Sequence, residues 1–365
     1  MGSIVHAPHL LVALTAHGFG HAAMTAPVVD ALAGELPGLR LTLQSNHPRQ
    51  LLARRFKRPF EQISGPDDFG LKMQSATRID VDGSAAAYRD LHDRLASAVT
   101  AQSDRMKALG VDLVLANVGY VPLLAAQKAG IPAFAMSCLN WADIYAHYFS
   151  DRPEAPAVDA AMLEAYRSAR RFLCPAPAMP MPRLDNLHPI GPLAAVARTD
   201  RMATRRRLGV DAGMHLGLIA FGGVAADLPL ASWPRLAGWR WLVTADPADR
   251  ADQIAFDATT FDFTEVLQSC DVVVSKPGYG TFTEAAANGV PVLFVPRPDW
   301  PESPPLIDWL SEWGRCAPIE AQAMFDPTSL TETLHSLLHT GAKPRVRPTG
   351  NEEAANILSA ALRQV

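Results

Sequence analysis

Two series of short apolar runs, each alternating with helix-patterned segments, constrain this chain more than any other feature. The first series is "HLLVALTA" (9–16), "LRLTLQS" (39–45), "VDLVLAN" (111–117) and "IPAFAMS" (131–137). The second is "HLGLIAFGG" (215–223), "WRWLVTA" (239–245), "DVVVS" (271–275) and "PVLFV" (291–295). Runs this short and this apolar suit strands covered on both faces, and the helical patterns between them (25–36, 122–130) suit crossover connections. The expected class is therefore α/β with parallel sheets. Between the series lies "CPAPAMPMPRLDNLHPIGPLAAV" (174–196), where proline is too dense for regular structure to persist. It reads as a linker. The expected organisation is a Rossmann-like domain over 1–185, a second over 186–345, and a C-terminal helix over 346–365 that packs back toward the first.

Composition narrows the function classes. With 365 residues there is length for two sizeable cores. The 33 basic and 37 acidic residues give a net charge of −4, which argues against a nucleic-acid binder that works by bulk charge. The basic spot "TRRRLGV" (204–210) reads as a solvated helix face. Four widely spaced cysteines without a CxxC fit free thiols in a reducing cytoplasm. The N-terminal segment lacks a basic region ahead of its apolar run, and no run reaches membrane-span length.

Chemistry concentrates at "VVVSKPGYGTFTEAAANGVPVLFVP" (272–296). In a parallel sheet, ligands bind beyond the carboxyl ends of strands, which is where Lys276 stands. Gly278 and Gly280 permit close backbone approach, and a helix expected from about Thr281 presents free N–H groups. A lysine, a glycine loop and a helix N-terminus make an anion site sized for a diphosphate. Glu284 has two readings: a carboxylate for the hydroxyls of a ribose, or the far half of a Thr281-x-x-Glu284 capping box. The lysine precedes the glycines, so this is neither a Walker loop nor a dinucleotide GxGxxG.

These residues resemble the donor-nucleotide region of GT-B glycosyltransferases. The resemblance is to the inverting branch that holds the plant UDP-glycosyltransferases and the N-acetylglucosaminyltransferase of lipid II synthesis. It extends to the glycosyltransferase-like N-terminal domain of plant L-arabinokinases. "HGFGHA" (17–22), "GIPAFAMSCLNWADIYAHY" (130–148), "SKPGYGTFTEA" (275–285) and "PVLFVPRPDWPESPPLIDWL" (291–310) carry it. The resemblance implies two Rossmann-like domains facing across a cleft, a UDP-sugar as co-substrate with no resident cofactor or metal, and a small-molecule or lipid-linked acceptor. It places Lys276, Gly278, Gly280 and Thr281 on the diphosphate, Glu284 on the ribose and Glu302 on the sugar hydroxyls. Gly222 and Gly223 would shape the loop facing the phosphates. Phe261 or Phe263 would pack on the nucleobase, although their apolar neighbours favour core packing.

A second glycine loop, "AHGFGHAAM" (16–24), follows the first strand. His17 and His21 have the i, i+4 spacing of a helical metal pair, but Gly18 and Gly20 argue against a helix there. A loop histidine with a near-neutral pKa suits general-base work. By resemblance His21, the residue before the next helix, is the catalytic or acceptor-contacting histidine, with His17 and Gly20 on the acceptor side. Many plant-type members orient that histidine with an aspartate, where this chain has Asn117. Asp143 is a substitute candidate for that role, and Asn140 is a candidate acceptor contact. "DVD" (80–82) has the spelling of a metal-dependent motif but sits in a polar stretch that reads as a loop. Lys276, eight residues before Glu284, replaces one glutamate of the retaining-enzyme pair, which favours inversion. Two rival functions remain: a sugar-nucleotide-binding module without chemistry, and a GT-B epimerase or hydrolase.

Overall fold

The computed structural model describes residues 7–15, 17–75, 78–222, 228–243, 250–256 and 260–364. The apolar runs are strands, and every ladder is parallel. In the first sheet β1 (His9–Leu14), β2 (Arg40–Gln44), β3 (Glu61–Ile63), β4 (Leu113–Asn117), β5 (Ala133–Met136), β6 (Phe172–Pro175) and β7 (Leu187–Ile190) lie in the order β3-β2-β1-β4-β5-β6-β7. In the second, β8 (His215–Ile219), β9 (Trp239–Val243), β10 (Gln253–Ala255), β11 (Val272–Ser275), β12 (Val292–Phe294) and β13 (Cys316–Pro318) lie in the order β10-β9-β8-β11-β12-β13. All residues of β1 and β4 are buried, as expected for strands with helices on both faces.

Both orders run outward from the first strand in one direction and then jump to its other side. The connections after β1 and β4 leave in opposite directions, as do those after β8 and β11. A crevice must open beyond the carboxyl ends of each such pair, where doubly wound sheets bind ligands. Register fixes its walls. Leu14 pairs with Asn117 at the top of β1 and β4, and Ile219 pairs with Val274 at the top of β8 and β11.

The chain divides into two compact units. One comprises Met1–Gln74, Arg78–Leu193 and Thr349–Val365; the other comprises Ser75–Thr77 and Ala194–Pro348. The C-terminal helix Gly350–Leu362 belongs to the first unit and packs on the helix Gly20–Glu35. Its docking depends on a glycine: a Cβ on Gly350 would lie 2.0 Å from the Gly191 carbonyl oxygen. Beside that contact the Gly191 N–H donates to Glu353 Oε2 at 2.8 Å.

Several expectations need correction. The proline-dense segment is not all linker. Residues Leu187–Ile190, beyond the expected break at 185/186, form β7 against β6. Pro189 can stand there because β7 is the sheet edge, where a missing N–H need not break a ladder. The basic run is not wholly solvated either. Arg205 is 5% exposed, and its guanidinium donates to the Ser269 and Met214 carbonyls and to Asp271. "DVD" begins a helix, Val81–Asp93, which Asp80 caps by accepting from the Gly83 N–H at 2.9 Å. The polar segment 65–74 buries Asp68 and Leu71.

Candidate functional site

The first crevice is built on β1 and β4. The helix after β1 begins at Gly20, earlier than expected, so His21 lies in its first turn rather than in the loop. There His21 is 7% exposed. Its Nδ1 bonds to Asn117 Oδ1 at 2.8 Å. The amide's orientation is fixed by the rest of the network. Asn117 Nδ2 donates to Thr25 Oγ1 at 2.8 Å, and Thr25 Oγ1 donates to the His21 carbonyl at 2.8 Å. Oδ1 therefore faces the imidazole and can only accept, so Nδ1 carries the proton and Nε2 keeps its lone pair. Asn117, the last residue of β4, takes the orienting place. Thr25, which sequence reasoning missed, holds it. The i, i+4 spacing from His21 within a helix was the available signal.

Burial drives the His21 imidazole down to about 4; the Asn117 bond opposes this and the nearby His47 adds to it. The group is thus neutral at physiological pH and able to accept a proton. Trp141, wholly buried, packs its indole 6.2 Å from the His21 ring and 5.2 Å from the His17 ring. His17 Nδ1 meets the Leu71 carbonyl at 3.0 Å. Asp143 is engaged elsewhere. Asn140 caps the helix Trp141–Phe149 by accepting from the Asp143 N–H, and its Nδ2 donates to Asp143 Oδ2 at 2.6 Å. Arg183 Nε donates to Asp143 Oδ1 at 2.6 Å and forks onto Asp159 through Nη1. Asp143 makes no hydrogen bond to His21 among the described residues, and the histidine's partner is Asn117.

The depressed imidazole has a measurable cost in acid. Between pH 6.5 and about 4 the unfolded histidine binds a proton and the folded one does not, so stability falls as pH falls. The loss amounts to about 3 kcal/mol. Asp68 acts in the opposite sense. Burial raises its carboxyl to about 7, against a bond from the Val121 N–H, so its contribution grows as pH falls from 7 toward 3.8. The two partly cancel in the whole protein. We expect the stability difference between wild type and His21→Gln, from urea unfolding, to shift by about 3 kcal/mol against wild type from pH 7 to 4. A pH-independent difference would contradict the buried neutral imidazole.

The second crevice is built on β8 and β11. Ser275 Oγ donates to the Ala220 carbonyl at 2.6 Å and ties the two strand ends together. Lys276 follows, half-buried. Burial lowers its ammonium to about 8, Arg297 lowers it further and Glu302 opposes them. Gly222 turns the chain at φ +87°, in the left-handed region that a side chain would strain. A Cβ there would lie 3.9 Å from Lys276 Cε, so the glycine loop and the lysine stem are neighbours. Gly223 lies outside the described residues.

The helix after Lys276 begins at Tyr279 with Gly278 as N-cap, two residues earlier than expected. Gly280 and Thr281 therefore sit in its first turn, where, among the described residues, the N-cap supplies no side-chain bond and the turn itself holds no acidic residue. The early start removes the capping-box reading, because Thr281 is the third helical residue and not the cap. Glu284 is 1% exposed within this helix. Glu302 accepts from Trp300 Nε1 at 2.9 Å, and the Arg297 guanidinium lies 4.6 Å over the Trp300 ring. Arg297 and Trp300, both buried, were not expected at the site. "PRPDWPE" gives no spacing signal that would separate them from an ordinary loop. Phe261 lies under Arg207, whose Cζ is 4.9 Å from its ring, and 6.4 Å from Phe256. Phe263 begins the helix Phe263–Ser269 and packs 6.3 Å from Phe256.

Two switch-point crevices, one with an oriented imidazole and one with a lysine beside an uncapped helix, define the class: the chain has the GT-B glycosyltransferase fold. Residues 244–303 match the model of the glycosyltransferase family 28 C-terminal domain. The L-arabinokinase of Arabidopsis thaliana is 26% identical over 319 residues, which span 84% of this chain and 30% of that protein. The chain thus spans about a third of that relative. Among solved structures, a calicheamicin glycosyltransferase superposes with TM-score 0.64 at 17% identity, covering 99% of this chain and 100% of that one. The Medicago truncatula protein UGT71G1, complexed with UDP-glucose, superposes with TM-score 0.62 at 12% identity, with coverage of 99% and 100%. Among the described residues no helix is long and apolar enough to cross a membrane, and no group of His, Cys, Asp or Glu forms a metal-ligand cluster.

Proposed function

We propose that this protein is a nucleotide-sugar-dependent glycosyltransferase that takes UDP-sugars and inverts the anomeric centre without a resident metal. The observation that carries the reading is the β11–Lys276–Gly278–helix unit at a switch point, inside the stretch that matches the family 28 C-terminal domain. In this reading the first unit takes the acceptor and the second takes the donor. Lys276 and the amides of Gly280 and Thr281 receive the diphosphate, Glu284 the ribose and Glu302 the sugar hydroxyls.

The chemistry follows from the two sites. An acceptor hydroxyl gives its proton to His21 Nε2 as its oxygen bonds to the anomeric carbon. The bond from that carbon to the diphosphate oxygen breaks, and the nucleoside diphosphate leaves with the electron pair. Lys276 and the helix N-terminus meet the charge that grows on the leaving group. Asn117 holds the base in the correct tautomer and adds no charge to steady the imidazolium.

That neutrality favours one alternative, a sugar-nucleotide-binding module with no turnover. Calorimetric titration with UDP, followed by UDP-, GDP- and dTDP-sugars, tests the donor site. We expect saturable binding of UDP, strengthened by one sugar. Product formation from that donor with an acceptor panel separates the enzyme from the module, and the product's anomeric configuration by NMR tests inversion. A folded protein that binds no nucleotide would overturn both readings.

A further inference from the structure

Trp141 opens the helix Trp141–Phe149 and is wholly buried. Its backbone N–H donates to Tyr166 Oη at 3.2 Å, and that hydroxyl donates to the Val118 carbonyl at 2.9 Å. Val118 follows Asn117, so the start of this helix is tied to the strand end that orients His21. The side chain reaches the same pair, with its ring 6.2 Å from that of His21 and 5.2 Å from that of His17.

Residues 68–72 lie as a strap against the indole. Gly70 has φ +76°, and a Cβ on it would lie 2.5 Å from Cζ2 and 2.7 Å from Cη2 of Trp141. Only a glycine lets the backbone come this near. The strap is anchored along its length. Asp68 Oδ2 accepts from the Val121 N–H at 2.8 Å, the Gly70 carbonyl accepts from Tyr88 Oη at 2.5 Å, and the Leu71 carbonyl accepts from His17 Nδ1 at 3.0 Å. Close packing passes such a constraint on: the indole cannot move toward the strap, so it keeps its place against the two imidazoles. Burial, not charge, dominates the setting of His21. Asn117 is neutral, and Tyr88 and Tyr166 are kept protonated by burial. Asp68 and Asp143 are turned to the Val121 N–H and to Arg183. His47, from the segment after β2, adds a smaller effect in the same direction as burial.

We propose that Trp141 is a positioning residue for His21: its indole, held by the Gly70 strap, keeps water from the imidazole and fixes the alignment of its ring. The consequence for turnover rests on the transferase reading. The consequence for His21 does not, because the histidine titrates whether or not a substrate is known. NMR titration of the histidines, with the His21 signal assigned by its loss in His21→Gln, is therefore the deciding readout. In Trp141→Leu and in the milder Trp141→Phe we expect His21 to titrate above its about 4, toward the ordinary 6.5. UDP binding should be unchanged in both, and with an acceptor in hand kcat should fall roughly 10–100-fold at constant donor KM. Gly70→Ala drives a methyl group into the indole and should raise His21 in the same way. Adding Trp141→Phe, which removes the ring atoms that the methyl meets, should restore part of the stability that Gly70→Ala loses. Phe149→Leu is the control: Phe149 packs on Tyr88 and Tyr145 in the same helix, so its loss should lower stability and leave His21 where it is. An unmoved His21 in folded Trp141→Phe, or an equal shift in Phe149→Leu, would overturn the role and leave the indole as ordinary core. A shifted His21 in a protein that turns over no acceptor would keep the role and count against the transferase reading alone.

Discussion

His21→Ala is expected to bind UDP as tightly as wild type and to lose turnover by about 10²–10⁴-fold, the range of a positioned general base. The split follows from where the two sites stand. His21 is on the helix after β1 in one unit, and the proposed diphosphate site follows β11 in the other. Every group assigned to the donor belongs to the second unit. Calorimetry with UDP and initial rates at saturating donor measure the two halves separately. Weakened UDP binding in His21→Ala would sink the assignment, since it would make the histidine a nucleotide contact.

Asn117 sharpens the test. Burial keeps the imidazole unprotonated down to about pH 4 against the weak opposition of the Asn117 bond, so activity on the acid side should persist to that region. Asn117→Asp places a negative charge where Oδ1 now lies, 2.8 Å from Nδ1. An opposite charge at that distance favours the imidazolium. The acid limb of the rate profile should then move to higher pH. An unmoved limb in Asn117→Asp would mean that His21 does not set it.

Much of this architecture was legible in the sequence because it is carried by unbroken apolar runs. β1, β4, β8 and β11 are buried throughout or nearly so, and burial on both faces leaves no polar alternation to confuse the reading. The segments that misled are those where a local rule met a tertiary one. Proline density argued for a linker at 187–190, and an edge position let a strand form there. Gly18 and Gly20 argued against a helix at His21, yet the first turn of a helix tolerates a glycine that its interior would resist. Thr281 and Glu284 had capping-box spacing, and the helix simply began earlier. Arg297 and Trp300 were invisible for another reason: their relation to Lys276 depends on β11 and β12 lying side by side, which no local spacing encodes.

Lys276 carries the other large expected effect. Lys276→Met keeps the apolar stem and removes the charge, and UDP binding should weaken by about 1.5–3 kcal/mol, roughly tenfold to 150-fold. A pH series separates this loss from general damage. The ammonium is held at about 8 by burial and by Arg297, so it is mostly charged at pH 7 and mostly neutral at pH 9. An anion binds the charged form, so wild-type affinity for UDP should fall as pH rises through that range. Lys276→Arg, which stays protonated throughout, should bind UDP with little change between pH 7 and 9. Lys276→Met should be equally flat, at the weaker level. The same slope in all three proteins would place the titrating group elsewhere and remove the lysine from the diphosphate site. If wild type alone shows the slope, the cation beside Gly222 and the uncapped helix is the group that reads the nucleotide's charge.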